Sequence, residues 1–512
     1  MTPAHRVWRW RLATVLSSVV AGAVTGFTAA FGRATASSSP LLWGVTCIAG
    51  LASLLLVLLL CLSEERWHRL LEWLSTEWSL FTGVAECETP CSRQVRVALG
   101  IALIAATCNL GLCGRCPTAS MMTIRGAFLR TATEIADAGG PVTLARQLVS
   151  GEFREANRHP LYLAFLAIQP TEPWGRTLSL LFAVLALGLA LGWLWCRGET
   201  TAAVLTAALL GTNRVFAVFS ARVVCETLLM LTTLLAWLAF THWQATRRHN
   251  PDNAGLGRSG WPLLTGAALG LAWLTKGTGL LLLLGTLLTI GIVWWRSADR
   301  RPSRWLFWSG CVSVAFLVVA SPLLVRNARR FGSLTYNVNS QLLFVDTYED
   351  PERLAEERST AAAARAYLAS HSTLQLVRRE ASGLVWESFI LLRSLGPVGL
   401  DDARVLLGLL LLPLAGLGFA TSPQLPRLLT LVWLASLVVV FAWYVPIAAG
   451  ERFLIPVTVP LLLAAAMGIA RLLRRLVPDQ QHADRWLIAG VMLWSVLATG
   501  AHYLEFTLYR VG

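Results

Sequence analysis

The sequence predicts an all-α fold, a polytopic transmembrane helical bundle of about 13 or 14 spans with two larger extracytoplasmic loops. Three observations predict it. Of 512 residues, 55% are apolar and only 14% charged, whereas an ordinary globular protein carries about 25% charged residues; the mean hydropathy is +0.59. The apolar residues fall in runs close to the ~20 residues that a helix needs to cross the hydrocarbon core. The basic residues lie at the ends of those runs, the pattern left when cytoplasmic loops retain Arg and Lys.

That last observation also accounts for the net charge of +14. A nucleic-acid partner would require the cations on one basic surface, and they are spread along the chain instead. The charge therefore reads as membrane topology, and nucleic acid is excluded as a partner.

Taken in order, the first span covers 12–31 and follows Arg6, Arg9 and Arg11, which places the N-terminus in the cytoplasm. A second span, 41–62, follows without a cleavage site between them, so the first is not read as a signal peptide. Trp67, Trp73 and Trp78 alternate with charges over 64–96, as in an interfacial helix. Further spans fall at 97–112, 177–196, 202–219, 223–240, 263–274, 280–295, 305–324, 405–419, 428–447, 453–473 and 486–503. The short apolar stretch 161–168 is read as a partly inserted helix. The polar intervals 113–158 and 326–379 are the two large extracytoplasmic loops. The predicted organisation is a segment of two spans and an interfacial stretch (1–96), a main membrane domain (97–475), and a closing loop and span (476–512).

Cys113 and Cys116 form a Cys-x-x-Cys pair, but no second pair or His cluster completes a zinc site. Cys87 with Cys91, or Cys113 with Cys116, is near enough in sequence for a local disulfide in an oxidising compartment. No cofactor is expected, with a carboxylate-bound divalent cation left open.

Ionisable residues at membrane depth are costly, and several meeting at one level point to a site. On this topology Asp137, Arg158, His159, Arg222, Glu226, Lys276, Arg326 and Arg452 all lie at or near the outer face. Lys276 is the only lysine in the chain. Arg158, His159, Arg222, Lys276, Arg326 and Arg452 are cations or potential cations suited to a phosphate headgroup. Asp137 is a carboxylate able to deprotonate an acceptor. Each has a structural alternative: Lys276 as a snorkelling helix-end residue, His159 as a first-turn residue beside Pro160, and Glu226 as the i,i+4 partner of Arg222.

The motifs resemble the GT-C membrane glycosyltransferases, the class of the protein O-mannosyltransferases and lipid A aminoarabinose transferases. Asn157-Arg158-His159-Pro160-Leu161-Tyr162 is similar to the His-Pro-Pro-Leu or Lys-Pro-Pro-Leu element of that class. Asp137 and Ala145 keep the spacing of its Asp-Glu-x-x-Tyr-x-x-x-Ala motif, with Ala138 and Pro141 replacing the Glu and Tyr. Gly270-Leu271-Ala272-Trp273-Leu274-Thr275-Lys276 resembles Gly-Leu-Ala-x-Leu-Thr-Lys, the most specific match. Ser220 to Glu226 resembles the segment where an Arg and a downstream carboxylate begin a helix. Pro322 to Asn327 with Phe331-Gly332 is similar to Pro-x-x-x-Arg-Asn…Phe-Gly, and Arg452-Phe453-Leu454-Ile455-Pro456 to Arg-Tyr-x-x-Pro.

The resemblance implies an inverting glycosyltransferase that moves a sugar from a polyprenyl-phosphate donor to an extracytoplasmic lipid, glycan or protein acceptor. In it Asp137 is the general base, with Glu134 one turn earlier as substitute or partner, and the cations hold the lipid phosphate. The implied location is a multi-pass cell membrane protein, in a bacterial inner membrane, with the site facing outward. Two rival readings stay open: a secondary transporter or lipid flippase, and an inactive GT-C-like assembly protein.

Overall fold

The computed structural model describes residues 92–115, 145, 159–249, 260–297, 301–349, 351–397, 403–423 and 425–511. The expected spans at 12–31 and 41–62, the interfacial stretch up to 91, and the paired cysteines lie outside the described residues or side chains. The chain clusters into two compact units. One comprises 1–86, 139–155 and 163–171, and the other 87–138, 156–162 and 172–512. Of the first, the structure describes Ala145 and 163–171, the latter forming the end of a short helix and the turns that follow it. Apart from the end of that short helix, all that follows concerns the second unit.

Among the described residues every regular element is helical, as the composition predicts, and the only strand-type pairing is an isolated bridge between Asn213 and Pro397. In chain order the helices are α1 (Arg93–Arg115), α2 (Pro160–Leu166), α3 (Glu172–Cys196), α4 (Thr200–Gly211), α5 (Arg214–Ser220), α6 (Glu226–His249), α7 (Gly260–Thr275) and α8 (Thr278–Trp295). They continue with α9 (Pro302–Phe331), α10 (Pro351–Glu357), α11 (Thr360–Ser370), α12 (Thr373–Leu395), α13 (Ala403–Thr421), α14 (Arg427–Tyr444), α15 (Ile455–Leu476) and α16 (Gln480–Val511). Nine helices among the described residues are long and apolar enough to cross a bilayer. The protein is a multi-pass membrane protein. The 161–168 stretch forms only the seven-residue α2, roughly 10 Å of helix and too short to span.

The apolar run 202–219, read above as one span, is two helices. Asn213 leaves helical geometry at φ −66°, ψ 135° and caps α5 by accepting from the Phe216 amide. Its side-chain amide donates to the carbonyls of Ser394 and Gly396 at 2.9 and 3.1 Å. One polar residue thus breaks the run, because its hydrogen bonds compete with the helix ladder.

Small residues set the closest helix contacts. α7 packs along α9, and a Cβ on Gly266 would lie 2.1 Å from the Val312 carbonyl oxygen. Backbones approach this closely in a membrane only where glycine removes the side chain. α9 runs two turns further than the span read from sequence, so Arg326 stands on a helix rather than in a loop. The helix stops at Gly332, which adopts φ 67°, the left-handed cap that favours glycine. Asn327 donates its amide to the carbonyl of Tyr336 at 3.2 Å, folding the following chain back against the helix end.

α15 is the core of the bundle: residues 453–468 are all buried. At its far end Arg471 and Arg474 pair with Glu199 at 2.6 and 2.5 Å. Its beginning adjoins the short 3-10 turn Glu451–Phe453. Twenty-two residues of helix span about 33 Å, so two charged clusters lie a hydrocarbon thickness apart. α16 packs on α1 and α4 through Val491, Leu487, Ala98 and Ala207, and His502 on α16 hydrogen-bonds Asn109 on α1 at 2.9 Å.

Candidate active site

The site forms where four chain segments turn at the same end of the bundle. α6 begins with Glu226, which is buried. Lys276 lies in the tight turn between α7 and α8, as the antiparallel pairing of two apolar runs requires. Its ammonium meets the Glu226 carboxylate at 3.1 Å. The i,i+4 pairing of Glu226 with Arg222 does not apply, because Arg222 precedes α6 in a non-helical turn. Arg222 itself is buried there.

The 3-10 turn before α15 brings the second cation. Arg452, exposed to solvent, lies over the Phe453 ring at 5.0 Å, and Lys276 lies over the same ring at 5.4 Å. A ring face attracts cations, so one aromatic side chain holds two of them together. Arg452 also acts electrostatically on Glu226. The motif's aromatic position is therefore part of the site's geometry, a role the sequence pattern marked without explaining.

His159 packs edge-on to Trp273, ring centroids 6.1 Å apart. Its Nδ1 is buried with no hydrogen-bond partner. Burial, with the charges of Arg326 and Lys276 adding, pulls its pKa down to about 4. The ring is therefore neutral at neutral pH. Arg326 lies 5.9 Å from the Phe331 ring centroid, and Phe331 stacks on Tyr336 at 4.0 Å. Just after α2 begins, Tyr162 shares a hydrogen bond with Ser179 at 3.0 Å, and Ser179 donates to the Val224 carbonyl at 3.3 Å. This chain fixes the His159 segment relative to the turn that leads into Glu226. Burial raises the Tyr162 pKa, keeping the phenol protonated.

The structure thus gathers His159, Glu226, Lys276, Arg326 and Arg452, with Arg222 in the adjoining turn. Asp137, Glu134 and Arg158 lie outside the described residues. Among the described residues no group of three His, Cys, Asp or Glu side chains is arranged to hold a metal ion.

Sequence reasoning missed the support behind Arg452. Glu451 accepts from Arg404 at 2.8 Å, and Arg393 and Arg214 approach it at 3.4 and 4.0 Å. Arg404 is fully buried. These arginines come from α13, α12 and α5, so one carboxylate ties three helices to the turn that carries Arg452. Asn337 was missed as well. Its Nδ2 and the Nε2 of His159 would lie 3.0 and 3.4 Å from a Cβ on Gly277, and none of the quoted motifs includes it.

Comparison with known proteins finds a family match over part of the chain. Residues 171–332 match the family of dolichyl-phosphate-mannose-protein mannosyltransferases, a stretch that holds Arg222, Glu226, Lys276 and Arg326. No curated protein matches the chain. The crystal structure of ArnT from Cupriavidus metallidurans bound to undecaprenyl phosphate is similar with a TM-score of 0.45 and 15% identity, over 81% of this chain and 75% of that one. The family match thus falls on the helices that carry Glu226, Lys276 and Arg326, and over that stretch the chain is similar to membrane mannosyltransferases.

Proposed function

We propose that the protein transfers a sugar from a polyprenyl-phosphate donor to an extracytoplasmic acceptor, with inversion at the anomeric carbon. The reading rests on one observation: Lys276 and Arg452 share the Phe453 ring beside Glu226. Glu226 neutralises only part of that charge. A phosphate ester whose chain lies in the bilayer supplies the missing anion, and its charge grows as the sugar–phosphate bond breaks. Preformed cations stabilise that developing charge without reorganising.

In this reading Asp137, with Glu134 as its substitute or partner, removes the proton from the acceptor nucleophile as it attacks the anomeric carbon. Neutral His159 hydrogen-bonds the headgroup, while Arg158, Arg222 and Arg326 complete its electrostatic surroundings. The acceptor is a lipid, glycan or protein. The Glu199–Arg471–Arg474 cluster at the opposite end suits the cytoplasmic side, where basic residues are retained. The site then faces outward from a bacterial inner membrane.

Transfer of radiolabelled sugar from a polyprenyl-phosphate donor in reconstituted vesicles tests the proposal. Wild type transfers label, and Asp137→Asn inserts normally but loses transfer. A fully active Asp137→Asn would remove the base assignment. A wild-type protein that binds no polyprenyl phosphate would remove the whole reading.

A further inference from the structure

Asn337 is a site neighbour that none of the quoted motifs includes. Its backbone carbonyl accepts from the Ser340 amide at 3.0 Å and from the Ser340 hydroxyl at 2.6 Å. Its side-chain oxygen accepts from the Asn339 amide at 3.0 Å and caps the 3-10 turn Val338–Phe344. Because a backbone N–H needs an acceptor, this bond fixes which end of the amide faces which way. The NH2 group is turned toward Gly277.

Gly277 makes room for it. A Cβ placed there would lie 3.0 Å from Asn337 Nδ2 and 3.4 Å from His159 Nε2. The amide and the imidazole therefore converge over the backbone of the residue that follows Lys276. Both oxygens of Asn337 are engaged within the turn, which leaves its NH2 group on the side of Gly277 and His159. The chain around it is held rigidly: Asn327 grips the Tyr336 carbonyl, and Ser340 and Gln341 hydrogen-bond Thr360. A donor held on a fixed turn, between a neutral histidine and the Lys276 loop, is preorganised for an acceptor oxygen.

We propose that Asn337 is a binding residue for the anionic headgroup of the donor lipid, its Nδ2 donating to a phosphate oxygen, and that Gly277 keeps that seat open. The inference rests on the polyprenyl-phosphate reading above.

The amide serves two roles that Asp and Ser separate. As a turn cap, Asp is as good as Asn and Ser is close behind. As a donor to an anion, Asp has no N–H and adds repulsion, whereas Ser keeps an O–H. Binding of a short-chain polyprenyl phosphate to the full-length protein in detergent, followed by calorimetry alongside thermal unfolding, distinguishes the two. Asn337→Asp is expected to keep the wild-type unfolding temperature and weaken binding roughly 10- to 100-fold, the range of a hydrogen bond to a charged group. Asn337→Ser should bind more tightly than Asn337→Asp, and Gly277→Ala should also weaken binding by displacing the amide. Wild-type affinity in Asn337→Asp, with wild type itself binding the lipid, would overturn this inference and leave the proposed function standing. No binding by wild type would overturn both.

Discussion

The Lys276 ammonium rests 3.1 Å from the Glu226 carboxylate, joining the turn between two helices to the first residue of a third. The pair is largely desolvated, with side-chain exposures of 21% and 8%. In such a place removing one partner strands the other. Lys276→Met should lower stability by about 3 kcal/mol and abolish sugar transfer. Combining it with Glu226→Leu should restore most of the unfolding temperature but none of the transfer. If the double variant regained activity, the pair would be structural only.

Glu451 offers a second test, since Arg404, Arg393 and Arg214 all converge on it. Glu451→Gln keeps the shape and removes the charge. The arginines then face a weaker acceptor, and the turn bearing Arg452 loosens. We expect a loss of about 3 kcal/mol and a larger rise in the donor KM than fall in kcat, because the effect reaches the substrate through Arg452. Equal effects on both parameters would contradict that route.

The lowered pKa of His159 gives a pH dependence with a definite sign. The folded ring titrates near 4, and an unfolded histidine near about 6.5. Between those values the unfolded chain binds the proton and the folded protein does not. Stability is therefore unaffected above pH ~6.5 and falls as the pH drops toward ~4, by up to about 3 kcal/mol. Thermal unfolding of ligand-free protein should show this slope, and His159→Gln should flatten it. An unchanged slope in the variant would assign the dependence to other groups.

Packing of α7 on α9 depends on the missing side chain at Gly266. A Cβ there meets the Val312 backbone, which cannot swing aside as a side chain can. Gly266→Ala should cost about 1–3 kcal/mol and reduce the folded yield in detergent. Gly310→Ala, where a Cβ meets nothing within 4 Å, should behave as wild type.

How much of this was legible beforehand follows from the range of each interaction. Hydrophobic runs are local, so Gly260–Thr275, Thr278–Trp295, Ala403–Thr421 and Arg427–Tyr444 could be placed to within a turn, whereas Glu226–His249 and Pro302–Phe331 run two turns or more past the apolar stretch and the helices between Pro351 and Leu395 carry no spanning run. Lys276 was also legible, because two apolar runs separated by a tight break place their junction at a membrane surface. The break at Asn213 was not, since it depends on the carbonyls of Ser394 and Gly396 nearly two hundred residues away. Nothing local distinguishes that asparagine from a polar residue tolerated inside a helix.

The sequence by itself determined the class of fold, the segments that cross and the chemistry available at one end of the bundle, because burial in lipid imposes its pattern on every turn of helix. Only the tertiary structure decided which charges meet. Glu226 chose Lys276 over Arg222, Glu451 drew in three arginines from three helices, and Asn337 was turned toward Gly277. Charge pairing in a low-dielectric interior depends on distances of a few ångströms between segments far apart in the chain, and those distances are fixed by helix packing.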